Sequence, residues 1–183
     1  MPEYILSVVA RDRSGIIAEI SAALFELGGN ILSATQSVLG DYFAMMILCA
    51  TRAAVDPKDI RDKLGERVRS EFDLFVTERQ PASIEPMETQ TFVITLIGPD
   101  RPGILHALTS YLASKQINID DLRCQTTEGE FLVICQVSVP NELDLSMLQA
   151  DLEESGRELQ FTAHMQHENV FIATNELRFG RAT

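Results

Sequence analysis

The sequence of 183 residues has few basic residues, with 15 Lys and Arg against 27 Asp and Glu, and its formal net charge is −12. Neutralising nucleic-acid phosphates requires clustered Lys and Arg, and no basic run occurs, so we expect no direct nucleic-acid binding. Long apolar runs are also lacking, since Tyr42 to Ala50 is far shorter than the ~20 residues that cross a bilayer. No basic and apolar signal segment begins the sequence, so we expect no membrane contact and a cytoplasmic location.

Cysteine is scarce, and the three cysteines have no metal-ligand spacing. Cys49 and Cys135 lie in apolar runs, where we expect small buried residues. His164 and His167 are three residues apart on a predicted strand, so their side chains point to opposite faces and we expect no shared metal ion. The Gly-x-Ser-x-Gly, phosphate-loop and dinucleotide motifs are absent. We therefore expect no catalytic residue, no metal and no cofactor.

A five-residue motif occurs twice, as Asp12-Arg13-Ser14-Gly15-Ile16 and as Asp100-Arg101-Pro102-Gly103-Ile104. The same offset of 88 residues places Asn30-Ile31 on Asn118-Ile119, without a gap between residues 4–49 and 92–137. This period fits a duplicated small domain better than a solenoid repeat. Each copy has roughly 75–80 residues, a size at which one core is marginally stable. We therefore expect the copies to pack together or with another chain, which leaves a homo-oligomer open.

The hydrophobic pattern of the first copy predicts four strands and two helices. Strands are predicted at residues 4–10, 30–38, 42–50 and 72–76, with Gly40-Asp41 as a hairpin turn. Ile16, Ile17, Ile20, Leu24 and Leu27 define one face of the first helix, and Asp56-Pro57 opens the second. The order β-α-β-β-α-β is typical of an α+β, ferredoxin-like fold with an antiparallel four-stranded sheet and both helices on one face.

The second copy follows the same order. We predict that it begins at Thr91, that its second helix closes at Gly156, and that Leu159 to Met165 forms its last strand. The predicted domains are residues 1–80 and 91–168, joined by a linker at 81–90 and followed by an extension at 169–183. In the extension, Val170-Phe171-Ile172 is expected to add an edge strand or to dock on the other copy, and residues 178–183 are expected to be disordered.

The motif lies in a loop between a strand and a helix, where a binding site is plausible on physical grounds. Main-chain N–H groups at a helix N-terminus suit a carboxylate, and Gly15 and Gly103 allow a ligand to approach the backbone. The amide groups of Asn30 and Asn118 offer a donor and an acceptor for a free amino acid. The alternative is structural: Asp caps the helix, Gly permits the turn, and Asn accepts a positive φ. The repetition of the whole pattern favours a site.

These residues resemble the ACT domain, a small regulatory module that senses amino acids, and the resemblance covers residues 3–80 and 91–168. Two such units without an enzyme resemble the family of the glycine cleavage system transcriptional repressor. The resemblance implies a small amino-acid ligand, with glycine as the first candidate, and a partner transcription regulator that is contacted through protein surfaces. Because ACT ligands lie between paired domains, it implies ligand-binding residues at Asp12, Arg13, Ser14, Gly15, Ile16, Asn30, Ile31, Asp100, Arg101, Pro102, Gly103, Ile104, Asn118 and Ile119.

Three alternatives share this fold class. A ligand-independent interaction module would use the same surface for protein contacts alone. An acylphosphatase would need Arg101 and Asn118 in a phosphate-binding loop, and the sequence shows no activated nucleophile or general base beside them. An RNA-recognition module needs exposed aromatic residues with basic neighbours, whereas only Phe43 and Phe131 recur in this acidic chain. We therefore expect a regulatory protein rather than an enzyme.

Overall fold

The structure is a computed structural model that describes residues 1–68, 71–80 and 87–179. The chain divides into two compact units, residues 1–83 (unit 1) and 84–183 (unit 2). The elements of unit 1 are β1 (Glu3–Arg11), α1 (Ile16–Glu26), β2 (Gly29–Leu39), β3 (Tyr42–Thr51), α2 (Pro57–Arg67) and β4 (Phe72–Glu78). Those of unit 2 are β5 (Thr89–Pro99), α3 (Ile104–Ser114), β6 (Asn118–Thr127), β7 (Glu130–Pro140), α4 (Leu145–Leu159), β8 (Thr162–His167) and α5 (Glu168–Phe179).

Each unit contains one antiparallel four-stranded sheet, ordered β2-β3-β1-β4 in unit 1 and β6-β7-β5-β8 in unit 2. Alternate residues of β1, namely Tyr4, Leu6, Val8 and Ala10, are buried against the helices because successive side chains point to opposite faces of a strand. The matching core of unit 2 contains Ile94 and Leu96 with residues of α3 and α4. The predicted ferredoxin-like α+β fold is confirmed in both copies.

Local sequence chemistry sets the hairpins and the second helix of each unit. Gly40 and Gly129 both have positive φ angles in the predicted turns. The side chain of Asp56 caps α2 by accepting from the main-chain N–H of Lys58 at 2.8 Å. In α4 the cap is Asp144, whose Oδ1 accepts from the N–H groups of Ser146 and Met147 at 2.8 and 3.2 Å.

Several predicted boundaries were wrong. Strand β5 begins at Thr89, two residues before the predicted start and inside the predicted linker at 81–90, and residues 81–86 of that linker lie outside the described residues. Helix α4 passes through Gly156 and ends at Leu159, where Gln160 takes the left-handed conformation. Gly156 is therefore a packing residue, since an added Cβ would lie 2.5 Å from the carbonyl oxygen of Phe161. As a result, Leu159 is helical and β8 begins only at Thr162.

The extension after the second copy forms helix α5 and not the predicted edge strand. This helix follows β8 without a loop and contacts β5 and β8. Gln136 Nε2 donates to Glu168 Oε1 at 3.3 Å, and Val93 is only 5% exposed although its neighbours Phe92 and Ile94 face the core. Helix α5 therefore covers part of the sheet face opposite α3 and α4. The backbone of residues 178–179 is helical, and residues 180–183, which we expected to be disordered, lie outside the described residues.

Candidate functional site

The repeated motif forms the same loop in both units. Gly15 and Gly103 are the N-caps of α1 and α3, with φ angles of 93° and 99°, and neither helix has a side-chain cap. The alternative in which Asp12 and Asp100 cap these helices is therefore wrong. Glycine is required because its φ lies in the left-handed region, which costs other residues about 1–2 kcal/mol. The first main-chain N–H groups of each helix are left for water or a ligand, as anion-binding helix N-termini require.

Ile16 and Ile104 belong to the core, and their side chains do not face a ligand. Their exposed fractions are 1% and 2%, and each packs in the core cluster of its own unit. The predicted role of these two residues can be performed only by their main-chain N–H groups. The buried side chains anchor the first turn of each helix in the core of its unit.

Each motif loop is tied to the hairpin turn of its own sheet. The main-chain N–H of Asp12 donates to the carbonyl oxygen of Asp41 at 2.9 Å, and that of Asp100 donates to Gly129 at 2.9 Å. In unit 2, Thr126 Oγ1 also donates to Asp100 Oδ2 at 3.4 Å. The sequence analysis missed these contacts, although the equal spacing of motif and turn in the two copies was a visible signal.

In unit 1 the motif arginine is bound by a carboxylate of the protein. Arg13 Nη1 lies 3.2 Å from Glu19 Oε1, and Arg13 Nη2 lies 2.5 Å from Glu19 Oε2. The two side chains are 31% and 19% exposed, and the hydrogen bond that Arg13 donates to Glu19 raises the pKa of Arg13. Arg13 Nη1 also donates to the carbonyl oxygen of Ser14 at 3.3 Å and lies 4.0 Å from the position of a Cβ on Gly15. The guanidinium group therefore lies across the first loop.

In unit 2 the same loop is open. The residue at the position of Glu19 is Ala107, and the exposed Arg101 has no hydrogen bond or ion pair with the part of the chain that the structure describes. A Cβ built on Gly103 would have no atom within 4 Å. Pro102, which replaces Ser14, fixes its own φ angle beside the glycine. The open loop thus presents a cation and a helix N-terminus at one surface.

Asn30 and Asn118 lie far from the motif loop of their own unit. In unit 2, Pro99 pairs with Glu130 just before the motif, whereas Asn118 pairs with Ser138 at the other end of β7. Eight residues of β-strand separate the two places, or roughly 26 Å. The same separation occurs in unit 1, where Arg11 pairs with Tyr42 at one end of β3 and Asn30 pairs with Ala50 near the other end. The loop and the asparagine of one unit therefore lie at opposite ends of its sheet, because each helix returns the chain to the end opposite the one where the helix starts.

The surroundings of the asparagines also differ between the units. A β-bulge follows both Asn-Ile pairs, at Leu32 in unit 1 and at Asp120 in unit 2. Asp120 accepts from Asn118 Nδ2 at 2.7 Å and from Ser138 Oγ at 2.6 Å. Asn30 is exposed and makes no side-chain hydrogen bond within the described ranges. Ile31 is 37% exposed, whereas Ile119 packs partly against the core.

Other candidate residues have structural environments. His167 pairs with Phe92, with ring centroids 5.3 Å apart, whereas His164 pairs with Thr95, so the predicted opposite orientation of the two histidines is confirmed. No cluster of three or more potential metal ligands occurs among the described residues. Cys49 and Cys135 are buried as predicted. None of the described helices is long and apolar enough to cross a membrane.

The fold and loops define a protein of two ferredoxin-like units, each with a glycine-capped helix N-terminus beside an arginine. Models of the ACT domain match residues 4–67 and 90–166. The chain therefore belongs to the ACT-domain family, with two ACT domains in tandem. These comparisons confirm the resemblance to the ACT domain that was inferred from the repeated motif and the Asn-Ile pairs.

Relatives of one-unit length and of full length both occur. A UPF0237 protein of Methanosarcina acetivorans is 36% identical over 86 residues, which cover 46% of this chain and 94% of the relative. A crystal structure of an unknown protein from Galdieria sulphuraria is similar over 91% of this chain and 98% of its own, with a TM-score of 0.78 and 27% identity. A candidate glycine cleavage system transcriptional repressor shares the fold over 90% and 96% of the two chains, with a TM-score of 0.64 and 19% identity.

Proposed function

We propose that this protein senses a small amino acid and passes the signal to a partner transcription regulator by protein contact. ACT domains are regulatory modules that generally bind small amino acids, and this chain has two of them. The observation that carries the proposal is the open loop at Gly103, where an uncapped helix N-terminus lies next to Arg101 in the sequence. Both groups attract a carboxylate, which every free amino acid has.

The separation of loop and asparagine within one unit has a consequence for the site. One small amino acid cannot span roughly 26 Å, so a ligand bound at the loop of one unit does not also contact the asparagine of that unit. Ligand binding would act by favouring one conformation of the protein over another. Such a shift is limited by the difference in ligand affinity between the two conformations.

Calorimetric titration of the full chain tests the sensing role. Glycine is the first probe, as the name of the repressor-like relative suggests, and the other amino acids follow. Glycine methyl ester and methylamine are matched controls, because both retain the amine and lack a free carboxylate. We expect a saturable heat with an amino acid and none with the controls. No heat and no change in melting temperature with any amino acid would disprove the sensing role.

The ligand-independent interaction module remains the competing function, and the occupied guanidinium group of Arg13 favours it for unit 1. The discriminating experiment is capture of the partner regulator from solution with and without the amino acid that binds. A sensor gives ligand-dependent capture, whereas a constitutive module gives equal capture under both conditions.

A further inference from the structure

We infer that the two motif loops are not equivalent: Glu19 occupies the arginine of the first loop as an internal substitute for a ligand carboxylate, so only the second loop is open to a ligand. This inference rests on the proposed function for the identity of the ligand. Its structural part, the closure of one loop by the chain's own carboxylate, stands on the contacts of Arg13 and can be tested separately.

The first argument is the geometry of the ion pair. Two nitrogens of Arg13 face the two oxygens of Glu19, which is the paired arrangement that arginine uses for a ligand carboxylate. That edge of the guanidinium group therefore has no place for a second carboxylate. The group also donates to the carbonyl oxygen of Ser14 and lies 4.0 Å from the position of a Cβ on Gly15, so it lies beside the backbone that a ligand would approach.

The second argument is the competition between an internal and a free carboxylate. Glu19 is six residues from Arg13 and is held on the first turn of α1. A group tethered over such a short distance acts at an effective concentration on the order of millimolar or above. A free amino acid below that concentration cannot displace it by charge alone. The ion pair therefore disfavours binding of a free carboxylate at the first loop.

The third argument is the comparison that the repeat itself provides. The two loops share the fold and the glycine conformation, and their motifs differ only in Ser14 against Pro102, but position 107 has alanine where position 19 has glutamate. With no carboxylate there, Arg101 is exposed and without a partner among the described residues. The carboxylate that binds Arg13 is supplied by position 19 alone, so an exchange of Glu19 and Ala107 should exchange the two states.

Titration of four full-length variants with glycine tests the inference. We expect the wild type to bind one glycine per chain and Glu19→Ala to bind two. Arg101→Ala and Ala107→Glu should each lower the affinity at least tenfold. Ser110→Glu adds the same charge to α3 one turn further on and should retain the wild-type affinity. Two glycines per wild-type chain, or an Ala107→Glu variant that binds as the wild type does, would overturn the inference.

Labelling with phenylglyoxal, which modifies accessible guanidinium groups, separates this inference from the proposed function. Peptide mapping should show rapid modification of Arg101 in the wild type, and rapid modification of Arg13 only in Glu19→Ala. Equal labelling of the two arginines in the wild type would overturn the closure of the first loop. Absence of glycine binding together with unequal labelling would instead count against the sensing role alone.

Discussion

The main-chain N–H of Asp100 donates a hydrogen bond to the carbonyl oxygen of Gly129 at 2.9 Å, which ties the motif loop of unit 2 to the β6–β7 turn. Both central residues of that turn, Glu128 and Gly129, have positive φ angles of 53° and 84°. Such turns favour Asn-Gly, because glutamate adopts the left-handed region at a cost. The turn that supports the open loop is thus slightly strained.

Replacing Glu128 with Asn should relieve this strain. We expect Glu128→Asn to raise the free energy of unfolding by about 0.5–1 kcal/mol, since Asn adopts a positive φ more readily. Urea unfolding followed by circular dichroism measures the change. Glu130→Asn is the control, because Glu130 begins β7 and carries a similar charge without a positive φ. Equal effects of the two substitutions would show that charge, and not turn conformation, is responsible.

Gly156 should tolerate no side chain. Ala at this position would place Cβ 2.5 Å from the carbonyl oxygen of Phe161, so we expect Gly156→Ala to destabilise unit 2 by about 1–3 kcal/mol. Gly65 is a helical glycine of α2 with open space around it, and Gly65→Ala should stabilise by about 0.5–1 kcal/mol. Thermal unfolding of the two variants gives the comparison. A stabilising Gly156→Ala would contradict the close packing of α4 on Phe161.

Asp144 should contribute to the stability of α4 through its two hydrogen bonds to main-chain N–H groups. Removal of a helix cap costs about 1 kcal/mol, and we expect Asp144→Ala to lower the free energy of unfolding by that amount. Glu142→Ala is the control, since Glu142 is an exposed acidic neighbour outside the cap. Comparable losses in both variants would indicate a general charge effect and not capping.

The buried thiol of Cys135 should make stability fall at alkaline pH. Burial, followed by the nearby Cys124, Asp120 and Asp121, raises the pKa of Cys135 from 9.0 to about 11. The folded state therefore favours the neutral thiol, and the unfolded state loses its proton first. The contribution of the neutral Cys135 thiol to the free energy of unfolding is fully present below pH 9. It is lost as the pH rises toward 11, which lowers the free energy of unfolding by on the order of 2 kcal/mol.

Urea unfolding at pH 8 and pH 10.5 measures this decrease. It should be smaller in Cys135→Ala, while burial of Cys49, which also raises a thiol pKa, leaves a residual slope. Cys124→Ser should keep most of the decrease because Cys124 is exposed. Identical slopes in the wild type and in Cys135→Ala would contradict the assignment.

The sequence predicted most of the fold because its signals were local and occurred twice. The core positions of β1, the hairpin turns and the Asp56 cap follow from periodicity and residue type. Gly156 was misinterpreted as a helix end because close packing against Phe161, a contact made after the helix, also selects glycine. Helix α5 was missed because a short apolar segment such as residues 170–172 does not distinguish a strand from a helix.

The site was predicted less completely than the fold. The motif identified the glycine-capped helix N-termini, but the Arg13–Glu19 pair depends on how the left-handed Gly15 directs the chain into α1. The separation of loop and asparagine follows from the topology alone. The helix starts beside the loop at one end of the sheet and returns the chain to the other end, where the next strand begins with the asparagine.

The most direct test is an amide NMR titration of the full chain with glycine, with the main-chain N–H groups of both loops assigned. The account predicts shifts at Gly103 and Ile104 that saturate with ligand, and smaller or no shifts at Gly15 and Ile16. If saturating glycine leaves all four amide signals unchanged, the helix N-terminus of unit 2 does not bind the carboxylate and the account is wrong.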